Sequence, residues 1–200
     1  MKSTLLLTIV AVASALAVPM AARGQVAPER PPKDLSGPDY KYQAYVGWGY
    51  TSLNQVNQSR SGLQGVSASV MRGFGDHFGL KIDGGHYAWT VTSSNAAVGN
   101  PSVDLFLAGP VIHGNIFEKW SAYAEALIGG AHTGNVSIQP DVSFAGGFGV
   151  GVDYNFKPRL SLRMYGDDIG SSFTLTPFQP GYSPHMRWNA RGGIGLAYRF

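Results

Sequence analysis

Hydrophobic residues alternate with small or polar residues along the chain from Tyr40 to Phe200. In the first segment, Tyr42, Val46 and Trp48 fall on one parity, and a glutamine and two glycines fall on the other. Successive side chains of a strand point to opposite faces, so this period of two predicts strands with one apolar face. Eight such segments follow one another, each of about ten residues, the length that a tilted strand needs to cross a bilayer. The pattern predicts an all-β chain.

The predicted apolar face can be followed strand by strand. In the third strand it starts at Phe78 and changes parity later, to Tyr87, Trp89 and Val91, which predicts a β-bulge at Gly84 and Gly85. The remaining faces are formed by Ala44 and Tyr50; by Val66, Ala68 and Val70; by Leu80 and Ile82; by Val103, Leu105 and Leu107; by Ala122, Ala124, Ala126 and Ile128; by Phe144, Phe148, Val150, Val152 and Tyr154; by Leu160, Leu162 and Met164; and by Trp188, Ala190, Ile194, Leu196, Tyr198 and Phe200.

The connections between the predicted strands alternate in length. The even connections are short and the odd ones are long, as in outer-membrane barrels with short periplasmic turns and longer external loops. This alternation predicts an eight-stranded antiparallel up-and-down transmembrane β-barrel with both termini in the periplasm. The short connections are Gly75 to His77, His113 to Lys119 and Asn155 to Arg159; the long ones are Ser52 to Gly62, Ser93 to Asn100, Thr133 to Pro140 and Ile169 to His185.

Charged residues fall mainly on the parity opposite to the apolar face. The interior of an eight-stranded barrel is narrow, and charges inside it must be paired. We therefore expect a lumen filled by a charge network, with a pore lined by the same residues as the alternative. The network is predicted to contain Lys81, Asp83, Asp104, Glu125, Asp153, Arg163, Asp167 and Arg191.

The first residues have the layout of a secretory signal peptide. Lys2 precedes an uncharged apolar run from Leu5 to Val18, and Pro19 and small residues follow. Residues 25–39 contain four prolines and mixed charges, which is typical of an extended linker. The predicted division is a signal peptide over 1–24, a periplasmic linker over 25–39 and a barrel over 40–200.

Composition restricts the class of protein further. Charged residues make up 14% of the chain, against roughly 25% in soluble domains, while the mean hydropathy is only −0.04. Low charge without long apolar runs favours a strand-based membrane protein over a helical one. The absence of cysteine excludes a disulfide scaffold. No tract of basic residues is present, so nucleic acid is not an expected partner.

Candidate chemistry is sparse. The five histidines do not pair at a metal-ligand spacing. His86 with Thr90 and Asp83 offers the residue types of a hydrolase, but no local motif selects them. The glycine-rich stretch from Gly146 to Gly151 lacks the lysine of a phosphate-binding loop. We predict no catalytic residue, no cofactor and no metal site.

The end of the chain carries a resemblance. Ile194, Leu196, Tyr198 and Phe200 alternate up to a terminal aromatic residue, and this segment resembles the last strand of bacterial outer-membrane proteins. The predicted strand count is similar to that of the transmembrane domain of outer-membrane protein A. The resemblance implies that these four residues are an insertion signal read by the barrel assembly machinery. We also expect the barrel to be a monomer surrounded by outer-membrane lipid.

These observations favour a structural outer-membrane barrel with external loops and no catalytic activity. A narrow pore, or a barrel that binds a small solute or a surface ligand, is the alternative because of the charged interior. A lipid-modifying enzyme and a secreted soluble barrel of lipocalin type are further alternatives. In the soluble barrel the aromatic residues would face inward around a ligand.

Overall fold

The computed structural model describes residues 41–54, 60–93, 102–134, 141–172 and 186–200. The predicted signal peptide, the predicted linker and the middle parts of the long connections lie outside these ranges. The long connections are shorter than predicted at their described ends, because β1 continues to Asn54, β2 begins at Arg60, β5 continues to Gly134 and β7 continues to Ser171. Within the described residues no helix has the length and hydrophobicity needed to cross a membrane. The strands that the structure describes are β1 (Tyr42–Asn54), β2 (Arg60–Phe74), β3 (Phe78–Ser93), β4 (Ser102–Phe117), β5 (Trp120–Gly134), β6 (Asp141–Lys157), β7 (Leu160–Ser171) and β8 (Arg187–Arg199).

These eight described strands form a closed antiparallel barrel in chain order. Each strand pairs with its neighbours in sequence, and β8 pairs with β1 to close the sheet. Trp48 of β1, for example, lies opposite Val66 of β2 on one side and Ile194 of β8 on the other. Closure leaves no sheet edge, and this is the condition under which strands can span a bilayer.

Three short turns lie at one end of the barrel, together with Lys41 and Phe200. We call this the turn end and the opposite one the loop end. The turns are residues 75–77, 118–119 and 158–159. The first is the predicted one, and Gly75 adopts a φ of 71° there, a conformation that glycine tolerates. The other two are shorter than predicted, because β4 continues through His113 to Phe117 and β6 continues to Lys157.

The alternation places one parity of each strand in the lumen and the other on the outer face. In seven strands the apolar face lies outside, as the sequence predicts, but Tyr87 of β3, which was predicted to share that face, lies in the lumen. Large hydrophobic side chains such as Val46, Ile128 and Phe148 are half exposed or more. An exposed apolar surface that surrounds the barrel is suited to contact with lipid.

In β4 the prediction was wrong about which face lies inside. Val103, Leu105 and Leu107 are buried in the lumen, whereas Asp104 and Phe106 lie on the outer face. In the residues that follow Asp104, both faces of this strand are apolar. The acidic side chain of Asp104 therefore determined which face was predicted to lie inside. The lumen accepts the three apolar residues because apolar side chains of other strands meet them there.

The predicted bulge lies further along β3 than expected. Gln64 of β2 pairs with Trp89, but the next residue of β2, Gly65, pairs with Tyr87, so Ala88 is the extra residue. Tyr87 consequently stays in the lumen, where it is fully buried, and Trp89 is turned outward. A bulge changes the parity of a strand at one residue, which explains why the aromatic residues on both sides of Ala88 point to opposite faces.

Candidate functional site

The lumen contains a central ion cluster formed by Lys81, Asp83, Glu125, Asp167 and Arg191. Lys81 Nζ donates to both oxygens of Glu125, at 3.0 and 2.8 Å, and lies 3.4 Å from Asp83. Arg191 donates through Nη1 to Asp83 at 2.5 Å and through Nε to Asp167 at 2.8 Å. All five side chains are nearly inaccessible to solvent. Each charge is therefore held by an opposite charge in the same buried layer.

Four strands supply this cluster. Lys81 and Asp83 come from β3, Glu125 from β5, Asp167 from β7 and Arg191 from β8. Each lies on the inward parity, and Asp167 and Arg191 are also direct register partners. Asp83 thus forms ion pairs with Lys81 of its own strand and with Arg191 from across the lumen. The cluster joins opposite walls of the barrel.

A terminal ion cluster lies nearer the turn end and consists of Gln43, Asp153, Arg163 and Arg199. Arg163 makes a two-point contact with Asp153, through Nε at 2.7 Å and Nη2 at 2.8 Å. The same Nη2 donates to Gln43 at 2.5 Å, and Arg199 lies 3.8 Å from Asp153. A two-point guanidinium–carboxylate contact fixes geometry as well as charge. This cluster links β1, β6, β7 and β8.

Tyrosine rings fill the space around the cations. Lys81 lies over Tyr123 at 5.5 Å, and Arg163 lies over the same ring at 4.5 Å. Arg191 lies 5.3 Å from the centre of the Tyr165 ring. Cations over aromatic faces gain electrostatic stabilisation, which is larger where water is excluded.

Glycines on the inward parity make room for these rings and for the carboxylates. A Cβ atom built at Gly151 would collide with the ring of Tyr123, and one built at Gly149 would collide with the carboxylate of Asp167. Both glycines belong to β6, next to the strands that carry the two side chains they accommodate. The packing of the lumen therefore requires glycine at these inward positions.

An apolar plug fills the lumen toward the loop end. Leu63 and Leu107 are completely buried in it, and Leu127 is 1% exposed. The plug consists of Leu53, Leu63, Tyr87, Val103, Leu105, Leu107, Leu127, Ala131, Ala145 and Ile169.

The structure places seven of the eight residues predicted for the charge network inside the lumen. The two ion clusters hold four cations and four carboxylates, so their formal charges cancel: Lys81, Arg163, Arg191 and Arg199 against Asp83, Glu125, Asp153 and Asp167. Arg199 was absent from the prediction. Asp104 has to be corrected, because its carboxylate lies on the outer face.

Asp104 belongs instead to an outer histidine cluster with His86 and His132. His86 Nδ1 lies 2.5 Å from one carboxylate oxygen, and His132 Nδ1 lies 3.4 Å from the other. The three residues come from β3, β4 and β5 and form one row of register partners. Sequence spacing gave no sign of this cluster, since it arises from strand register alone.

The four residues of the predicted insertion signal all lie on the outer face of β8. Ile194, Leu196, Tyr198 and Phe200 are about half exposed. Phe200 stacks on Tyr42 with ring centres 5.8 Å apart, and the backbones of these two residues exchange hydrogen bonds of 3.1 and 2.9 Å. The last residue thus closes the ladder between β8 and β1.

A cavity of about 750 Å³ lies at the turn end and extends to Lys81 and Arg163. Tyr123 and His113 also line it. The hydroxyl of Tyr123 and Nε2 of His113 are buried and have no hydrogen-bond partner among the described residues. Within the described residues no group of three His, Cys, Asp or Glu side chains is arranged to hold a metal ion.

Solved structures of other proteins share this architecture. Neisserial surface protein A has a TM-score of 0.64 at 11% identity, and the alignment covers 80% of this chain and 97% of that one. Ail, the attachment invasion locus protein of Yersinia pestis, has a TM-score of 0.51 at 16% identity over 80% and 97% of the two chains. The fold is that of a small outer-membrane β-barrel. The predicted fold class is confirmed.

The outer-membrane protein AlkL, determined by solid-state NMR in lipid bilayers, has a TM-score of 0.50 at 13% identity. Its alignment covers 89% of this chain and 97% of that one. No family model and no curated protein matches the sequence. At these identities the similarity shows a shared fold only. It does not extend to the side chains of the lumen and of the outer face.

Proposed function

We propose that this protein is a structural barrel of the bacterial outer membrane, with loops presented at the cell surface, a closed lumen and no catalytic activity. The observation that carries the proposal is an apolar outer face around a lumen that contains paired charges and packed side chains. The fold shared with other outer-membrane barrels supports the location.

The outer face supports insertion into a bilayer. Aromatic side chains are exposed near both ends of the barrel, as membrane–water interfaces favour. Trp48 and Trp89 stack toward the loop end with ring centres 4.9 Å apart. Trp120 and Tyr154 meet at the turn end, at 5.0 Å.

The lumen supports a closed rather than a conducting barrel. A solute would have to break the ion pairs of Lys81, Arg163 and Arg191 and then pass the apolar plug. An eight-stranded interior is just wide enough to be filled by side chains, whereas open porins use about 16 strands.

The proposal includes an orientation and a route. The turn end, with both barrel termini, faces the periplasm, and the long connections face outward. The signal peptide over 1–24 directs export, and the linker over 25–39 remains in the periplasm. The assembly machinery reads Ile194, Leu196, Tyr198 and Phe200, whose apolar side chains share the outer face of β8. The barrel acts as a monomer surrounded by outer-membrane lipid.

Cell fractionation and planar-bilayer recording test this function. We expect the protein in the outer-membrane fraction, with a gel mobility that changes on heating, and no steady conductance after reconstitution. Recovery in the soluble periplasm with unchanged mobility would contradict the membrane location. Stable, solute-dependent conductance would contradict the closed lumen and favour a narrow pore.

A second candidate function is the binding of a small polar solute from the periplasmic side. The observation that favours it is the cavity at the turn end, where Tyr123 and His113 each present a polar atom without a partner among the described residues. Equilibrium dialysis of the detergent-solubilised protein against labelled periplasmic extract tests it. A solute retained by the wild type and lost in Tyr123→Phe would support this candidate, and no retained solute would remove it.

A further inference from the structure

We propose that the outer histidine cluster binds the phosphate group of a lipid in the outer leaflet. This inference rests on the orientation given under the proposed function, in which the loop end faces outward. It adds a binding site on the lipid-facing surface, separate from the lumen. The site consists of a polar row, His86, Asp104 and His132, and an apolar recess beside it.

The polar row is flanked by apolar residues of the two neighbouring strands. Val66 of β2 is the register partner of His86, and Val142 of β6 is the partner of His132. Within the row, the side chains of His86, Asp104 and His132 remain 57%, 48% and 44% exposed although they contact one another. Polar groups at a lipid-facing position are unfavourable unless they find charged or hydrogen-bonding partners. Their exposure means that such partners can come from the lipid.

The row lies near the loop end. Asp104 is two residues after the start of β4 at Ser102, and His132 is two residues before the end of β5 at Gly134. His86 is three residues before Trp89, one of the exposed aromatic side chains expected at headgroup level. The polar row is therefore placed where phosphate groups of the outer leaflet would lie.

The chemistry of the row suits an anion with several oxygens. Both imidazole rings turn Nδ1 toward the same carboxylate, and hydrogen bonds to an ionised carboxylate are stronger than those between neutral groups. Because each ring turns Nδ1 toward Asp104, its Nε2 lies on the side away from the carboxylate. In an imidazolium this nitrogen is a donor, and two such donors match the oxygens of one phosphate.

An apolar recess lies directly below the row, toward the middle of the barrel. The next outward residues are Gly84, Phe106 and Gly130, which are register partners of one another. A Cβ atom at Gly84 or Gly130 would meet only backbone oxygens, at 3.8 Å or more. The exposed ring of Phe106 thus stands between two shallow grooves. Acyl chains can lie in these grooves while the phosphate reaches the histidines above.

Native mass spectrometry of the full mature chain in maltoside micelles tests the inference, because this detergent contains no phosphate. The probes are a bisphosphorylated lipid A and the same lipid after removal of its phosphates. We expect the phosphorylated lipid to bind about tenfold more tightly or better, the range of hydrogen bonds to a charged group. The preference should vanish in the double variant His86→Gln/His132→Gln, which removes both imidazole rings.

His77→Gln is the matched control, since His77 is exposed in a turn at the opposite end. It should keep the preference of the wild type. Heat-dependent gel mobility establishes that each variant is folded. Equal binding of both lipids by the folded wild type would overturn the inference and leave the proposed function intact. Absence of the protein from the outer membrane would instead defeat the proposed function.

Two further arms identify the ligand. Inorganic phosphate that binds the wild type as tightly as the lipid does would overturn a lipid site in favour of a free anion. Loss of lipid binding on addition of a chelator would overturn imidazolium donors in favour of a metal bridge. Retention of binding in the chelator, with weak binding of inorganic phosphate, is the outcome that the recess and the histidines together predict.

Discussion

Arg191 shows how the lumen depends on single side chains. It is completely buried and joins Asp83 of β3 to Asp167 of β7. Removing one partner of a buried ion pair leaves charge without compensation, which costs more than the pair contributes in the intact protein. The carboxylates of Asp83 and Asp167, which flank Arg191, belong to strands on opposite sides of the barrel. Their repulsion would therefore act across the whole lumen.

We predict that Arg191→Met lowers the free energy of unfolding by about 3–5 kcal/mol. Urea titration of the protein in lipid vesicles, followed by tryptophan fluorescence, measures this change. Arg72→Met is the control, because Arg72 is exposed and contacts the rings of Tyr42 and Phe74 at 5.8 and 5.1 Å. That variant should lose about 1 kcal/mol or less. Equal losses in both variants would contradict the role of the central ion cluster.

A second residue-scale prediction concerns Gly149. Gly149→Ala places a methyl group against the Asp167 carboxylate, which Arg191 holds in position, so the strain cannot relax without breaking an ion pair. We expect a loss of about 1–3 kcal/mol in the same titration. Gly114→Ala should change stability by about 0.5 kcal/mol or less, because nothing lies within 4 Å of its added Cβ. A neutral Gly149→Ala would show that the carboxylate moves freely.

At the scale of elements, β4 shows the limit of alternation as a guide. Alternation identifies a strand but assigns its faces only when one of them is polar. In β4, Leu105 and Leu107 on one face are matched by Phe106 and Ile112 on the other. The inward assignment follows from the plug, to which β1, β2, β3, β5, β6 and β7 contribute apolar side chains. No property of β4 alone contains that information.

The assignment of β4 can be tested by site-directed spin labelling, since the chain has no native cysteine. Labels at Phe106→Cys and Leu105→Cys should report opposite environments in reconstituted protein. We expect the label at Phe106 to be accessible to oxygen dissolved in the lipid and the label at Leu105 to be shielded. Heat-dependent gel mobility checks that both labelled proteins are folded. The reversed result would restore the parity that the sequence predicts.

At the scale of the whole molecule, the barrel has an internal order along its axis. The terminal ion cluster lies toward the turn end, the central ion cluster follows, and the apolar plug fills the loop end. β1 shows the two ends of this order, with Gln43 in the terminal ion cluster and Leu53 in the plug. A polar and an apolar layer thus lie in series along the lumen. In the proposed function, ion pairs would resist the entry of apolar solutes, and the plug would resist water and ions.

The proposed orientation of the molecule in the membrane can be tested at its two unlike ends. We predict that Met186→Cys, at the loop end, reacts with a membrane-impermeant maleimide on intact cells. Asp76→Cys, in the turn between β2 and β3, should react only after the outer membrane is permeabilised. Both variants should react equally in detergent, which controls for accessibility. Labelling of Asp76→Cys alone on intact cells would invert the proposed topology.

The sequence by itself determined the strands, their number and the aromatic end of β8. These features are local, because a period of two and a terminal Phe200 can be seen without knowing any neighbour. The sequence also assigned Lys81, Asp83, Glu125 and Arg191 to the face opposite the apolar one. This assignment is local, because a charged residue can be distinguished from its apolar neighbours along the strand.

Only the tertiary structure decided which charges meet, which face of β4 is inside and where the bulge of β3 lies. The contact of Arg191 with Asp83 spans 108 positions of sequence. His86, Asp104 and His132 likewise come together through the register of three strands. Register and closure are properties of pairs of strands, and the alternation within any one strand carries no record of them.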